Sequence, residues 1–196
     1  RAFLMDVARN FQPKSQVLKV LDVMALYKLN VFHFHFSEDE GWRLEIPALP
    51  ELTQVGGKRA PTADSKRNLP PSYGSGVDTT NSGSGFYSKD DFIEILKYAT
   101  ARHIRVIPEI ESPGHARAAI KAMDARYERL MQAGQKEEAE RFLLRDLNDK
   151  SVYRSVQGWD DNVINVALPS TYNFMETVVD EIRKMYAEAG APLQTI

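Results

Sequence analysis

Apolar residues along the chain follow two alternating rhythms. The first is the short run Phe3-Leu4-Met5-Asp6-Val7-Ala8, bounded by Arg1 and Arg9. Too brief for a helix, it predicts a strand with Arg9 leaving its carboxyl end. From Ser15, a residue type that caps helices, apolar positions recur at three- and four-residue spacing through Val17, Leu18, Leu21, Met24, Ala25 and Tyr27 or Lys28. That spacing predicts a helix ending near Leu29-Asn30. A second strand follows over 31–36, where phenylalanines alternate with histidines in a run that reads as buried on both faces. Strand, helix, strand in direct succession is the unit that builds parallel sheets.

The pattern then dissolves over about 47–86 into Pro, Gly, Ser, Asn and Thr. A structureless loop of that length is either a functional lid or binding loop, or a disordered insertion. Tyr73 and Phe86 favour partial order. Ser88 caps the next helix, with Asp90 and Asp91 in the first turn, where the helix dipole favours negative charge. Its apolar stripe is Phe92, Ile95, Leu96 and Ala99. A third strand is expected over 104–111, with Pro108 better suited to its end than its centre. Ser112-Pro113-Gly114-His115 turns into a helix through Ala116, Ala119, Ile120 and Met123. About 126–147 reads as a charged helix or helix pair broken near Gly134, and 148–168 as irregular, with Trp159-Asp160-Asp161 exposed or lining a cleft. Pro169-Ser170 opens a last helix with the stripe Tyr172, Met175, Val178, Val179, Ile182 and Met185, closed by Gly190. Leu193-Gln194-Thr195-Ile196 resembles the start of another strand, and Arg1 stands directly before one without an initiator methionine. The chain therefore reads as a piece of a longer protein, with no internal sequence repeat.

Composition narrows the classes. With 196 residues, 43% hydrophobic and 27% charged, the sequence suits one fairly large globular domain. Basic residues are interspersed with acidic ones, as in Lys136-Glu137-Glu138-Ala139-Glu140-Arg141, and the net charge of -2 gives no nucleic-acid-binding patch. Lack of cysteine excludes a disulfide framework and thiolate chemistry, yet fixes no compartment. No apolar run approaches the roughly 20 residues of a membrane span, and no signal peptide is present.

Chemistry concentrates past the second strand, in Ser37-Glu38-Asp39-Glu40-Gly41-Trp42-Arg43. His33 and His35 share a strand face. They read as a metal pair, or as packed, hydrogen-bonded residues of an interior. The second reading is preferred, since a hydrolytic metal site wants further histidines and only His103 and His115 remain. His103 at a helix carboxyl end is explained by the dipole. Arg9, Glu38, Asp39, Glu111 and His115 each fall at or just past the carboxyl end of a predicted parallel strand, where active sites of such folds assemble. Carboxylates and an arginine in an aromatic-rich cleft suit a sugar, whose hydroxyls need donors and bidentate acceptors. A structural ion pair accounts for any one of these residues, but poorly for all of them together.

Four ordered motifs carry a resemblance: Arg1 through Arg9, Leu29 through Arg43, Gly85-Phe86-Tyr87-Ser88-Lys89-Asp90-Asp91, and Val106-Ile107-Pro108-Glu109-Ile110-Glu111-Ser112-Pro113-Gly114-His115. Together they resemble the catalytic domain of the glycoside hydrolase family 20 β-N-acetylhexosaminidases. The resemblance implies an α/β fold, a partial (β/α)8 TIM barrel comprising roughly the first three βα units and the helices before strand four. Residues 1–196 would then be a fragment of a single catalytic barrel. It implies removal of terminal β-linked N-acetylglucosamine or N-acetylgalactosamine with retention, the substrate's acetamido oxygen forming an oxazolinium intermediate. Arg9 resembles the arginine that grips ring hydroxyls. Glu38 and His115 resemble the catalytic Asp-His pair that hydrogen-bonds toward the general acid and tunes it. Asp39, Trp42 and Glu111 occupy substrate-side family positions. No cofactor or metal is implied, and no partner beyond the carbohydrate, although an open fragment is expected to self-associate. Periplasmic or extracellular export is the family's implication alone.

Two departures stand out: the family usually has aspartate where Glu38 and Glu111 stand. Each added methylene moves a carboxylate by roughly an ångström, in a site where about 0.5 Å counts. The family's His-x-Gly-Gly-Asp-Glu strand, which supplies the acetamido-orienting aspartate and the acid-base glutamate, is expected beyond Ile196. Rival readings are a metal-dependent barrel hydrolase using His33 and His35, and a non-catalytic N-acetylhexosamine-binding relative.

Overall fold

The computed structural model describes residues 1–72 and 74–196; Tyr73, one of the two residues offered for order in the long loop, lies outside the described residues. Three parallel strands, β1 (Ala2–Asp6), β2 (Val31–His35) and a later strand, β5 (Arg105–Glu109), form a sheet in the order β1-β2-β5. The helix α1 (Lys14–Leu26) connects β1 to β2. Between β2 and β5 lie a two-stranded antiparallel ribbon, β3 (Ser37–Glu38) with β4 (Gly41–Trp42), and two helices, α2 (Glu51–Gly56) and α3 (Lys89–Thr100). The helices α4 (Arg117–Gln132), α5 (Lys136–Glu140) and α6 (Pro169–Ala189) follow.

Register does the positioning. Asp6 pairs with His35 and His35 with Glu109, so these three side chains form a row across the carboxyl edge of the sheet. Because successive strand side chains alternate faces, Phe32 and Phe34, and Phe36 just beyond the strand, all fall on one side. All three are fully buried, with ring centroids 4.7 and 4.2 Å apart along the row, and Tyr87 and Phe92 pack against them. His33 and His35 occupy the opposite face. The expectation that β2 is buried on both faces fails there, since the His33 side chain is 34% exposed on the side away from the phenylalanines.

Helix boundaries show where local signals win. In α3 the Ser88 hydroxyl accepts from the Asp91 backbone N–H while Asp91 accepts from the Ser88 N–H, a reciprocal capping box, and the whole expected stripe is buried. In α1 the cap is Pro13 and Ser15 is already helical, because proline's fixed φ suits the start of a helix. That helix ends at Leu26, leaving Tyr27 exposed and Lys28 left-handed at φ 57°. In α6 the buried stripe is Thr171, Phe174, Val178, Ile182, Met185 and Tyr186; Tyr172 and Val179 face outward, correcting the expected register. Gly190 closes α6 in the left-handed conformation. Leu193-Gln194-Thr195-Ile196 forms no strand; the Gln194 side chain meets Arg105.

The long loop is not structureless. It contains α2, an Arg59–Leu69 bridge and a Leu44–Tyr87 bridge. Two buried guanidinium groups gather it. Arg43 donates to the carbonyls of Val7, Ala8, Gly57, Gly83 and Gly85, and Arg59 donates to those of Ala8, Arg9 and Glu40. A buried guanidinium carries five donors that must be satisfied. These carbonyls come from the end of β1 and from three loop segments, which ties the loop to the sheet's carboxyl edge. On its other flank α2 packs on α4, where Glu51 takes ion pairs from Arg126 at 3.2 Å and Arg129 at 2.6 Å.

Candidate active site

Arg9 emerges just past β1. Its guanidinium is held between Asp6, at 2.7 Å, and Glu38, with Glu40 at 3.9 Å. Asp6 accepts the backbone N–H groups of Ala8 and Arg9 as well, which fixes the turn carrying Arg9. Burial raises the Asp6 carboxyl, but the Arg9 N–H, the Arg9 side chain and the charge of His35 outweigh it and leave Asp6 below its ordinary pKa.

Glu38 lies on β3, reached directly from the end of β2. One carboxylate oxygen takes Arg9; the other faces His115 Nδ1 at 3.1 Å and accepts the Asp39 N–H at 2.9 Å. The Glu38 side chain is 3% exposed, whereas Arg9 and His115 are 37% and 36% exposed. A ligand can therefore touch Arg9 and His115, while Glu38 lies behind and joins them. Burial pushes the Glu38 carboxyl above its usual range against the opposing pull of the Asp39 N–H, Arg9 and His115.

Glu111, two residues past β5, donates its backbone N–H to Ser37 Oγ at 2.8 Å and is partly exposed. Burial raises its carboxyl, with the neighbouring Glu109 adding to the shift and His35 opposing it. Glu109 itself takes both strand histidines: His33 Nε2 and His35 Nδ1 lie 2.7 and 2.6 Å from one of its oxygens, at ion-pair distance without aligned hydrogen-bond geometry. Two compact groups of donors, His35-Glu38-Glu111 and Glu38-Asp39-His115, are close enough to hold a cation. Neither includes His33.

Two residues expected on the substrate side are placed elsewhere. Trp42 is fully buried, its indole N–H donates to the Leu44 carbonyl at 2.6 Å, and its ring meets Phe174 edge-on in the core. Its position on β4 turns the ring under the ribbon rather than into solvent. Asp39 is also fully buried; its carboxylate accepts the Arg117 N–H at 3.2 Å and the Asn162 side-chain amide at 3.0 Å. It braces the loop behind His115 and reaches no surface. Asn162 and Arg59 are structural contributors that spacing did not single out. Arg117 and Lys121 hold Asp161 at 2.7 and 2.6 Å, and the Arg117 guanidinium lies 4.4 Å over the Trp159 ring. Trp159 is accordingly a packed residue of this loop.

Arg9, Glu38, His115 and Glu111 thus converge from three separate chain segments at the carboxyl edge of one parallel sheet. Two partly exposed donors bridged by a buried anion can grip hydroxyl groups and relay charge to a reacting group.

Comparison with known proteins identifies one family over nearly the whole chain. The family model for "Glycosyl hydrolase family 20, catalytic domain" matches residues 1–191. A β-hexosaminidase of Vibrio vulnificus is 50% identical over 193 residues, covering 98% of this chain and 23% of the relative. The N,N'-diacetylchitobiase of Vibrio harveyi is 50% identical over 196 residues, covering 100% and 22%. Among solved structures, a GH20 exo β-N-acetylglucosaminidase from Vibrio harveyi in complex with N-acetylglucosamine superposes with a TM-score of 0.76 at 38% identity, covering 94% of this chain and 25% of that one. The chain spans about a quarter of the length of the relatives it matches.

Proposed function

This chain belongs to the glycosyl hydrolase family 20 catalytic domains, and from that membership we propose that it is the first part, about three βα units, of a (β/α)8 barrel in a longer β-N-acetylhexosaminidase. The parallel order β1-β2-β5, with α1 and α3 packed behind the phenylalanine face, supports the barrel reading. The proposed reaction removes a terminal β-linked N-acetylhexosamine with retention. The acetamido oxygen attacks the anomeric carbon as the bond to the leaving oxygen breaks and that oxygen takes a proton; water then opens the oxazolinium ring. The proton donor and the acetamido-orienting aspartate belong to the His-x-Gly-Gly-Asp-Glu strand expected in the rest of the protein.

The observation that carries this reading is the Arg9–Glu38–His115 bridge. Arg9 is the residue proposed to bind ring hydroxyls, and Glu38 with His115 the pair that tunes the general acid. Glu38 reaches both partners, which supports a working role for glutamate where the family usually has aspartate. Glu111 is proposed at the pocket's edge, supported by its partial exposure beside His35. The metal-dependent alternative has less support, because His33 and His35 both turn to the same Glu109 oxygen.

The test is hydrolysis, by the full-length protein, of an aryl N-acetyl-β-glucosaminide beside the same aryl glucoside lacking the acetamido group. Cleavage of the first alone is expected. Sugar binding without cleavage of either would establish the non-catalytic relative instead, and loss of activity with chelator the metal reading.

A further inference from the structure

Resting on that reading, we propose that Asn162 is a positioning residue for the Glu38–His115 pair. It lies in the irregular segment between α5 and α6, yet is almost fully buried. Its side-chain amide donates to Asp39 Oδ2 at 3.0 Å, and its backbone carbonyl accepts the Ala116 N–H at 3.0 Å. Two residues on, the Ile164 N–H donates to the Pro113 carbonyl at 2.8 Å. This segment therefore grips the chain on both sides of His115. Asn162 is itself fixed by Tyr153, whose hydroxyl donates to Asn162 Oδ1 at 3.2 Å and accepts the backbone N–H groups of Asn162 at 2.7 Å and Val163 at 3.0 Å.

His115 needs such a grip. Its backbone is left-handed at φ 53°, a conformation that residues other than glycine adopt sparingly. Its imidazole Nδ1 has two carboxylates in reach, Glu38 at 3.1 Å and Asp39 at 3.8 Å. Engaged by Asn162 on one oxygen and by the Arg117 N–H on the other, Asp39 is committed elsewhere, and His115 stays with Glu38. Remove the amide and, among the described residues, Asp39 Oδ2 is left facing the histidine. The ring is then drawn from Glu38, and the link from Arg9 through Glu38 to His115 and on to the general acid is broken.

The test uses the full-length protein with Asn162→Ala and Asn162→Asp. The second is nearly isosteric and replaces the donor by a repelling carboxylate. Two substrates separate positioning from general damage: a phenyl N-acetyl-β-glucosaminide, whose leaving group needs a proton, and its dinitrophenyl counterpart, whose leaving group does not. The expected result is a kcat loss on the order of ten- to hundred-fold for the phenyl glycoside and less than about threefold for the dinitrophenyl one, with KM nearly unchanged. If Asn162→Ala does not fold, Asn162→Asp carries the comparison, with Tyr153→Phe as a milder variant expected to move in the same direction. Equal losses on both substrates, or no loss on either, would overturn the assignment. A wild-type protein that cleaves neither substrate would overturn the hydrolase reading itself, and with it this one; a wild type active on both leaves only the assignment of Asn162 at stake.

Discussion

Glu38 spans from the Arg9 guanidinium to the His115 imidazole, so the charge of one buried carboxylate organises two exposed donors. Replacing it by glutamine keeps the shape and removes the charge. On the proposed function, for Glu38→Gln in the full-length protein, kcat/KM on an aryl N-acetyl-β-glucosaminide is expected to fall on the order of ten- to hundred-fold. The proposed activity has an associated pH signature. Burial holds the Glu38 carboxyl above its ordinary value, so the anion is lost as pH falls through that raised value. The acid limb of the rate profile should therefore lie above the ordinary glutamate value of roughly 4.3. An acid limb at or below that value would show that Glu38 does not need its charge. The meeting of Glu38 and His115 was legible because each sits in a run of residues whose order ties it to a strand end. Asn162 was not, since its meaning comes from a carboxylate 123 positions away. Trp42 misled for the opposite reason: a tryptophan beside carboxylates resembles a sugar platform, and only packing against Phe174 reveals the core residue.

Elements with their own start signals were read well, and those fixed by packing were read less well. Ser88, Asp90 and Asp91 define α3 locally, so Ser88→Ala should cost about 1 kcal/mol in a denaturant titration. Nothing comparable follows from Ser15→Ala, because Pro13 holds that cap position. The register of α6 depends on which of two overlapping apolar stripes meets the core; Phe174 against Trp42 and Tyr186 against Phe92 decide it. Between α2 and α4 the deciding contact is electrostatic. Burial raises the Glu51 carboxyl, but the hydrogen bond from Arg129 and the charge of Arg126 outweigh it and leave the pKa below its ordinary value. For a carboxyl lowered on folding, the stabilisation is complete above the unfolded value, roughly 4.3, and is lost as pH falls through the folded one. Glu51→Gln should accordingly lower the midpoint of thermal unfolding at pH 7 and change it little at the lowest pH. An equal effect at both would mean that the ion pairs contribute nothing.

At the scale of the whole molecule the parallel topology was visible in the alternation of strands and helices, whereas the order within residues 47–86 was not. Glycine and serine runs read as loose chain, but the anchors that fold them are Arg43 and Arg59, one placed before that stretch and one inside it, each donating to carbonyls brought in from elsewhere. The same topology leaves work undone. Both β1 and β5 pair only with β2 among the described residues, so each presents an unpaired edge. Phe3 and Leu4 on β1, and Val23 and Leu26 on α1, are substantially exposed. In a closed barrel those edges and faces would be covered; in the isolated chain they are a template for further strand pairing. The isolated 196-residue chain is therefore expected to self-associate with rising concentration and to show no turnover, in contrast to the activity proposed for the full-length protein. Sedimentation velocity across a concentration series measures the first and an aryl glycoside assay the second. A monomer with a sharp, reversible unfolding transition would mean that the core behind the phenylalanine face suffices for independent folding, and that the open sheet edges are protected within the chain itself.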